Sequence, residues 1–402
     1  MVVLAGITRS AVLLASLSAT AASVSWTSAA ALDLQPLVSQ ASVGSASFLG
    51  GDVCTSLPLN DEGSSHLFLF GDTIVGRFLP NGTRQIKAMP RNNVGILYTD
   101  PATRRPLSTL SHSWRVDPSD AVHVGFFSPP PSEDPAQAQY YWPAVGARVR
   151  NQSYVVAMRM ENSGSGLFPF AVAGYDVIAI PRDSDSRFDD PLGWPASEMP
   201  IATFGSWVND NFTVGNAVTY VAAEDFVYLL GSYRGARSPQ WSAAFMARVS
   251  GADWEAGEFG PGLQFYLQNQ TWSTGGFYAG VENEVSLLFD FNVPSETTMS
   301  FIPALNSYAI LIANTFLYDS VMMRTAPSLT GPWAKEVPLY TIPASMRVNE
   351  AFCYAAKRHS EFEAPDGSDM VFSYNCNTDG FDPLLTQPQI YVPQFVRTTF
   401  TQ

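Results

Sequence analysis

The chain is 402 residues long, with 22 Lys+Arg against 36 Asp+Glu and a formal net charge of -14. A surface this acidic repels phosphate backbones and anionic lipid, which argues against nucleic-acid and membrane partners. Aromatics at 13% and charged residues at only 14% exclude disorder and supply enough apolar surface for one large domain or two ordinary ones.

At the amino terminus, Arg9 precedes Ala11-Val12-Leu13-Leu14-Ala15-Ser16-Leu17, and small residues follow through Ala31. That order predicts a secretory signal over residues 1–31, cleaved between Ala21 and Ala31, with a single domain over 32–402. The competing reading is a buried amino-terminal helix. The run is too short and too rich in Ser and Thr to span a bilayer, and no later run approaches that length. Four sequons, at Asn81, Asn151, Asn211 and Asn269, fit an exported, extracellular glycoprotein, each being a weak match alone.

Further on, Gly50-Gly51-Asp52-Val53-Cys54 and Leu67-Phe68-Leu69-Phe70-Gly71-Asp72-Thr73 flank a turn cluster, Asn60-Asp61-Glu62-Gly63-Ser64. Centring an antiparallel hairpin on Glu62 sets Leu59 against Ser65, Leu57 against Leu67 and Asp52 against Asp72. Directly opposed side chains lie roughly 5 Å apart, where two carboxylates repel. Hydrolysis of a glycosidic bond uses such a pair, one carboxyl giving a proton while the other attacks or activates water. A one-residue change of register would instead leave both as solvated strand ends.

Helical periodicity is nearly absent. Aromatic and β-branched runs recur in pairs that begin at His66, Tyr154, Phe226, Tyr308 and Met370, spaced by 62 to 88 residues. With no linker between them, the five units predict an all-β fold, a five-bladed β-propeller of mostly four-stranded antiparallel blades. A large β-sandwich is the alternative. Of three cysteines, Cys353 and Cys376 fall in neighbouring strand candidates and are the favoured disulfide, which leaves Cys54 a buried free thiol. Four scattered histidines and no spaced Cys/His cluster give no metal site, and no cofactor is expected. Gly-x-Ser-x-Gly, Gly-x-x-x-x-Gly-Lys, Gly-x-Gly-x-x-Gly and His-Glu-x-x-His are all missing, which removes support for acyl transfer, nucleotide hydrolysis and nicotinamide chemistry.

From about Gly50 to Phe400 the chain resembles secreted bacterial and fungal propellers, long filed as a domain of unknown function, that include endo-D-arabinanases. The stretches that carry the likeness come in order. They are Gly51-Asp52, Leu69-Phe70-Gly71-Asp72-Thr73, Tyr141-Trp142-Pro143, Gly215-Asn216-Ala217-Val218, Ala247-Arg248-Val249, Gly331-Pro332-Trp333 and Tyr391-Val392-Pro393-Gln394-Phe395. The resemblance places two catalytic carboxylates on Asp52 and Asp72. It departs at Val53, where the family usually has a small residue or Gly, and at Val214, where it has Trp. It implies a monomeric secreted hydrolase of furanoside, arabinan-like polysaccharide, with a non-catalytic carbohydrate-binding or wall-associated propeller as the rival. Three further positions are candidate substrate contacts, each with a plainer reading beside it. Trp142 is a sugar-stacking ring or a core residue between blades. Asn216 is a hydroxyl partner or a turn residue. Arg248 is a clamp on Asp52 or Asp72 or an outward strand residue.

Overall fold

A computed structural model describes residues 24–38, 47–116, 123–130, 139–162, 170–182, 190–194, 202–203, 211–290, 293–347, 351–378 and 380–401, and every structural statement below concerns these. Their strands form five four-stranded antiparallel sheets, one three-stranded side sheet and a two-stranded ribbon. Sheet I contains Thr55–Pro58, Ser65–Phe70, Asn93–Tyr98 and Ser111–Ser113. Sheet II contains Gln139–Val149, Gln152–Asn162, Phe170–Ala179 and Ala202–Thr203. In sheet III the order is Phe212–Val221, Phe226–Gly235, Ser238–Ser250 and Gln264–Phe265. Sheet IV runs Thr298–Ile302, Ser307–Ala313, Ser320–Ala326 and Val337–Thr341.

Sheet V is assembled from both ends of the chain. Phe352–Arg358, Asp369–Asn377 and Gln394–Thr401 are completed by Ser25–Ala30, which pairs along its whole length with the last strand. Ser25–Ala30 falls within the span read as signal and cleavage region, and here it is paired within sheet V. Residues 1–23 of the expected signal lie outside the described residues.

The period-2 alternation of each second strand holds the sheets together. In Ser65–Phe70, Leu67 and Leu69 face sheet II while Phe68 and Phe70 face sheet V. In sheet II, Val155 and Ala157 look back to sheet I, and Tyr154, Val156 and Met158 look on to sheet III. Sheet III likewise turns Val227 and Leu229 to sheet II and Tyr228 and Leu230 to sheet IV. Sheet IV sends Ile310 and Ile312 to sheet III and Leu311 and Ala313 to sheet V. In sheet V, Phe372 and Tyr374 point toward sheet IV and Val371 toward sheet I. Because both faces are covered, these strands read as continuous apolar runs. Truncating one such residue to Ala costs about 2–5 kcal/mol.

Each four-stranded sheet begins one strand earlier than the first strong run read from the sequence. The leading strands start at Thr55, Gln139, Phe212, Thr298 and Phe352. They escaped notice because glycine, proline and polar residues interrupt their alternation. Three of them, Gln139–Val149, Phe212–Val221 and Phe352–Arg358, also carry breaks in pairing register. Such irregularities re-aim side chains at the end of a sheet.

Candidate active site

The two aspartates sit where one long hairpin passes from the side sheet into sheet I. On one side of the seam Gly51 pairs with Thr73, and on the other Thr55 pairs with Leu69. The count between these partners is unchanged, so Asp52 falls opposite Asp72, the register read from the turn. The ladder itself breaks there. Val53 and Cys54 take positive φ values of 67° and 50°, a region that disfavours a β-branched residue. This explains why a glycine or other small residue suits position 53. The Asp52 carbonyl, freed from regular pairing, accepts from Cys54 N at 2.9 Å and Gly71 N at 3.1 Å.

Two glycines permit the close approach. A side chain at Gly71 would collide with Asp52 Oδ1, and one at Gly50 would collide with the Tyr391 carbonyl. Gly51 N in turn donates to that carbonyl at 2.9 Å, and Asn375 Nδ2 donates to the Gly51 carbonyl at 2.9 Å. These contacts fix the strand that ends in Asp52 against sheet V.

The carboxyls have different surroundings. Tyr354 donates its hydroxyl to Asp52 Oδ2 at 2.7 Å, and Tyr391 donates to the same oxygen at 3.3 Å. Asp52 Oδ1 is enclosed with no hydrogen-bond partner. Burial, then the charge of Asp72, push the Asp52 carboxyl well above the ordinary carboxylate range, against the two tyrosine hydroxyls. Asp72 accepts from Trp142 Nε1 at 3.0 Å and pairs with Arg91 Nη1 at 3.3 Å. Burial raises it too, but the Arg91 charge and the indole N–H oppose that rise. Both carboxyls are thus raised, Asp52 the more strongly, and only Asp72 has a cation and an indole N–H beside it that favour its charged form.

Both open into a cavity of about 380 Å³, lined also by Val53, Met158, Met160, Phe170, Phe352 and Glu296. Trp142 belongs to the site, its ring lying edge-on to Phe170 at 4.6 Å. Asn216 does not line the cavity. It is buried, with Thr213 donating to its Oδ1 at 2.8 Å and its Nδ2 donating to the Pro294 carbonyl at 3.0 Å. It therefore holds the segment next to Glu296 instead of meeting a ligand there. Arg248 is also displaced from its expected place. Its guanidinium lies between the Phe226 and Trp272 rings, at 4.0 and 4.1 Å, and donates to Gln264. The cation beside Asp72 is Arg91. Val214, the other departure noted in the sequence, is a core residue between sheets II and III.

Sequence reading missed Arg91, Tyr354, Tyr391 and Glu296. Arg91 was within reach: Phe70 pairs with Asn93, and two more steps set Asp72 beside Arg91. The tyrosines come from more than 300 residues away, at |i−j| of 302 and 339, and no local pattern marks them. Cys353 and Cys376 are disulfide-bonded partners one rung below the cavity residue Phe352 and its partner Asn377, and Cys54 is free and buried. Asn81, Asn151, Asn211 and Asn269 all lie exposed at turns.

The family model described as "Domain of unknown function (DUF5005)" matches residues 43–399. A solved structure of a candidate hydrolase from Bacteroides ovatus ATCC 8483 is similar at 15% identity and a TM-score of 0.68, covering 93% of this chain and 90% of that one. At that identity the likeness is one of fold. The chain is also similar to the endo-arabinase of Bacteroides thetaiotaomicron VPI-5482, at 12% identity, a TM-score of 0.44, and coverage of 87% and 94%. A thermostable family-43 glycoside hydrolase gives 12%, 0.43, and coverage of 88% and 89%. No curated protein matches the chain.

Proposed function

The chain belongs to the DUF5005 family, and from its paired carboxylates we propose that this member is a glycoside hydrolase built on a five-bladed β-propeller and acting on a furanoside, arabinan-like polysaccharide. The observation that carries the reading is the opposite environments of two facing acids in one accessible cavity. Asp52, which favours its proton, is the general acid, and that proton passes to the glycosidic oxygen as the bond to the anomeric carbon breaks. Asp72, whose charged form Arg91 and Trp142 favour, attacks the anomeric carbon or takes a proton from the attacking water. Trp142 and Phe170 offer ring surface to the apolar C–H patches of a sugar. No step calls for a metal or organic cofactor.

We also place the site of action outside the cell, as a monomer. The disulfide between Cys353 and Cys376 suits an oxidising compartment, and four sequons on exposed turns suit a glycoprotein. The test is incubation of the wild type, Asp52→Asn and Asp72→Asn with arabinans, fructans and galactans, following reducing ends. Hydrolysis of a furanoside polymer that falls by about 10²–10⁴ in either variant is expected. Turnover that survives both substitutions, or binding of glycan with no turnover of any polymer, refutes the assignment.

A further inference from the structure

Beneath the cavity lies a lysine that the reaction does not touch. Lys357 is fully buried in Phe352–Arg358, the leading strand of sheet V. Its Nζ donates to the Ala144 carbonyl at 2.6 Å and to the Thr297 carbonyl at 3.0 Å. It has no carboxylate partner among the ion pairs of the described residues, and Glu296 is the charge that acts on it. Isolation from water lowers its pKa to about 7. An ammonium buried without a counter-ion is costly, so its retention calls for a purpose beyond filling space.

Both acceptors sit at irregular points of the backbone. The pairing of Gln139–Val149 shifts between Pro143 and Val145, which leaves the Ala144 carbonyl outside the ladder. Trp142, the donor to Asp72, is two residues away. Thr297 follows Glu296 directly, and its N–H donates to the Asn216 carbonyl at 3.3 Å. Lys357 itself lies just past a second irregularity, between Tyr354 and Lys357, where Ala355 takes a φ of 54°. One bulge therefore sends Tyr354 to Asp52 and Lys357 toward sheet II, which is not a neighbour of sheet V in the cycle of packed faces. The lysine reaches across the middle of the ring.

We propose that Lys357 is a positioning residue, which from the centre of the ring fixes the backbone segments that carry Trp142 and Glu296 into the cavity. Its effect on turnover rests on the hydrolase reading, whereas its effect on geometry does not. A displacement of about 1 Å in a positioned group can cost about 10²-fold in rate.

The experiment uses Lys357→Met, which keeps the length and removes the donors, and Lys357→Gln, which keeps one. The indole N–H resonances of the full-length protein, nine tryptophans in all, are recorded by NMR, with the Trp142 peak assigned through Trp142→Phe. In folded Lys357→Met the Trp142 peak should move or broaden while that of Trp254, buried between sheets II and III, stays in place. On any polymer the wild type hydrolyses, kcat should fall by about tenfold or more with KM changed by less than about threefold, and Lys357→Gln should recover part of both. An unchanged Trp142 peak in a folded variant overturns the proposal. So does loss of folding in both variants, which would make the lysine a structural residue. Should the wild type hydrolyse nothing, the hydrolase reading fails, and the indole spectrum still decides the positioning role.

Discussion

Replacing Asp52 with Asn should lower activity by about 10²–10⁴ and remove a charge whose burial costs stability once the carboxyl ionises. Burial and the Asp72 charge hold the folded carboxyl's pKa well above that of the unfolded chain, which lies at about 3.9. The folded state therefore binds more protons than the unfolded state from about pH 4 up to the folded pKa. The stability tied to that proton is complete below about pH 4 and is lost as pH rises through the window, at up to about 1.4 kcal/mol per pH unit. The amide introduced by Asp52→Asn has no charge to desolvate, and its carbonyl oxygen can still accept from Tyr354 and Tyr391. Its NH₂ would occupy the unpartnered Oδ1 position against Gly71, at a cost of about 1–3 kcal/mol that is the same at every pH.

The diagnostic is therefore the slope and not the level. Urea denaturation of wild type and Asp52→Asn at half-unit steps from pH 4 to 8 should give a stability difference that moves steadily in favour of the variant. It should level off above the pH at which Asp52 ionises. In an Asp72→Asn background, where the charge that raises Asp52 is gone, the levelling should come at lower pH. A difference that is flat with pH, or that grows toward pH 4, would mean that Asp52 is an ordinary ionised carboxylate and that its role as acid is wrong.

Gly71→Ala adds no charge and removes none, but its methyl would collide with Asp52 Oδ1. It should cost about 1–3 kcal/mol by denaturation and lower kcat far more than a matched Gly→Ala change at the exposed turn residue Gly82. Arg91→Met and Trp142→Phe each remove a group that holds the Asp72 pKa down, so the acid limb of the kcat/KM profile should move to higher pH in both. Arg91 is half exposed, with 47% of its side chain accessible, and its shift should be the smaller because solvent screens it. Cys353→Ser with Cys376→Ser opens a loop set by a sequence separation of 23. It should cost about 3 kcal/mol on the chain-entropy account and raise KM, as the wall formed by Phe352 and Tyr354 loses its tie.

What the sequence determined alone was whatever depends on near neighbours along the chain. The period-2 runs around Leu67–Leu69, Val155–Ala157 and Val227–Leu229 specify strands covered on both faces, because alternate residues must point to opposite sides. The turn at residues 60–64 specifies the register that opposes Asp52 and Asp72, because pairing in a hairpin is a matter of counting. The same count, continued to the next strand, would have brought Arg91 to Asp72. Tertiary packing decided the rest. Tyr354, Tyr391 and Glu296 meet the acids only because sheets far apart in the chain converge on one cavity, and Asn216 and Arg248 were misplaced because spacing does not tell which side of a sheet borders that cavity. The raised pKa of Asp52 belongs wholly to tertiary structure, because only exclusion of water, with a second charge alongside, lifts a carboxyl above its ordinary range.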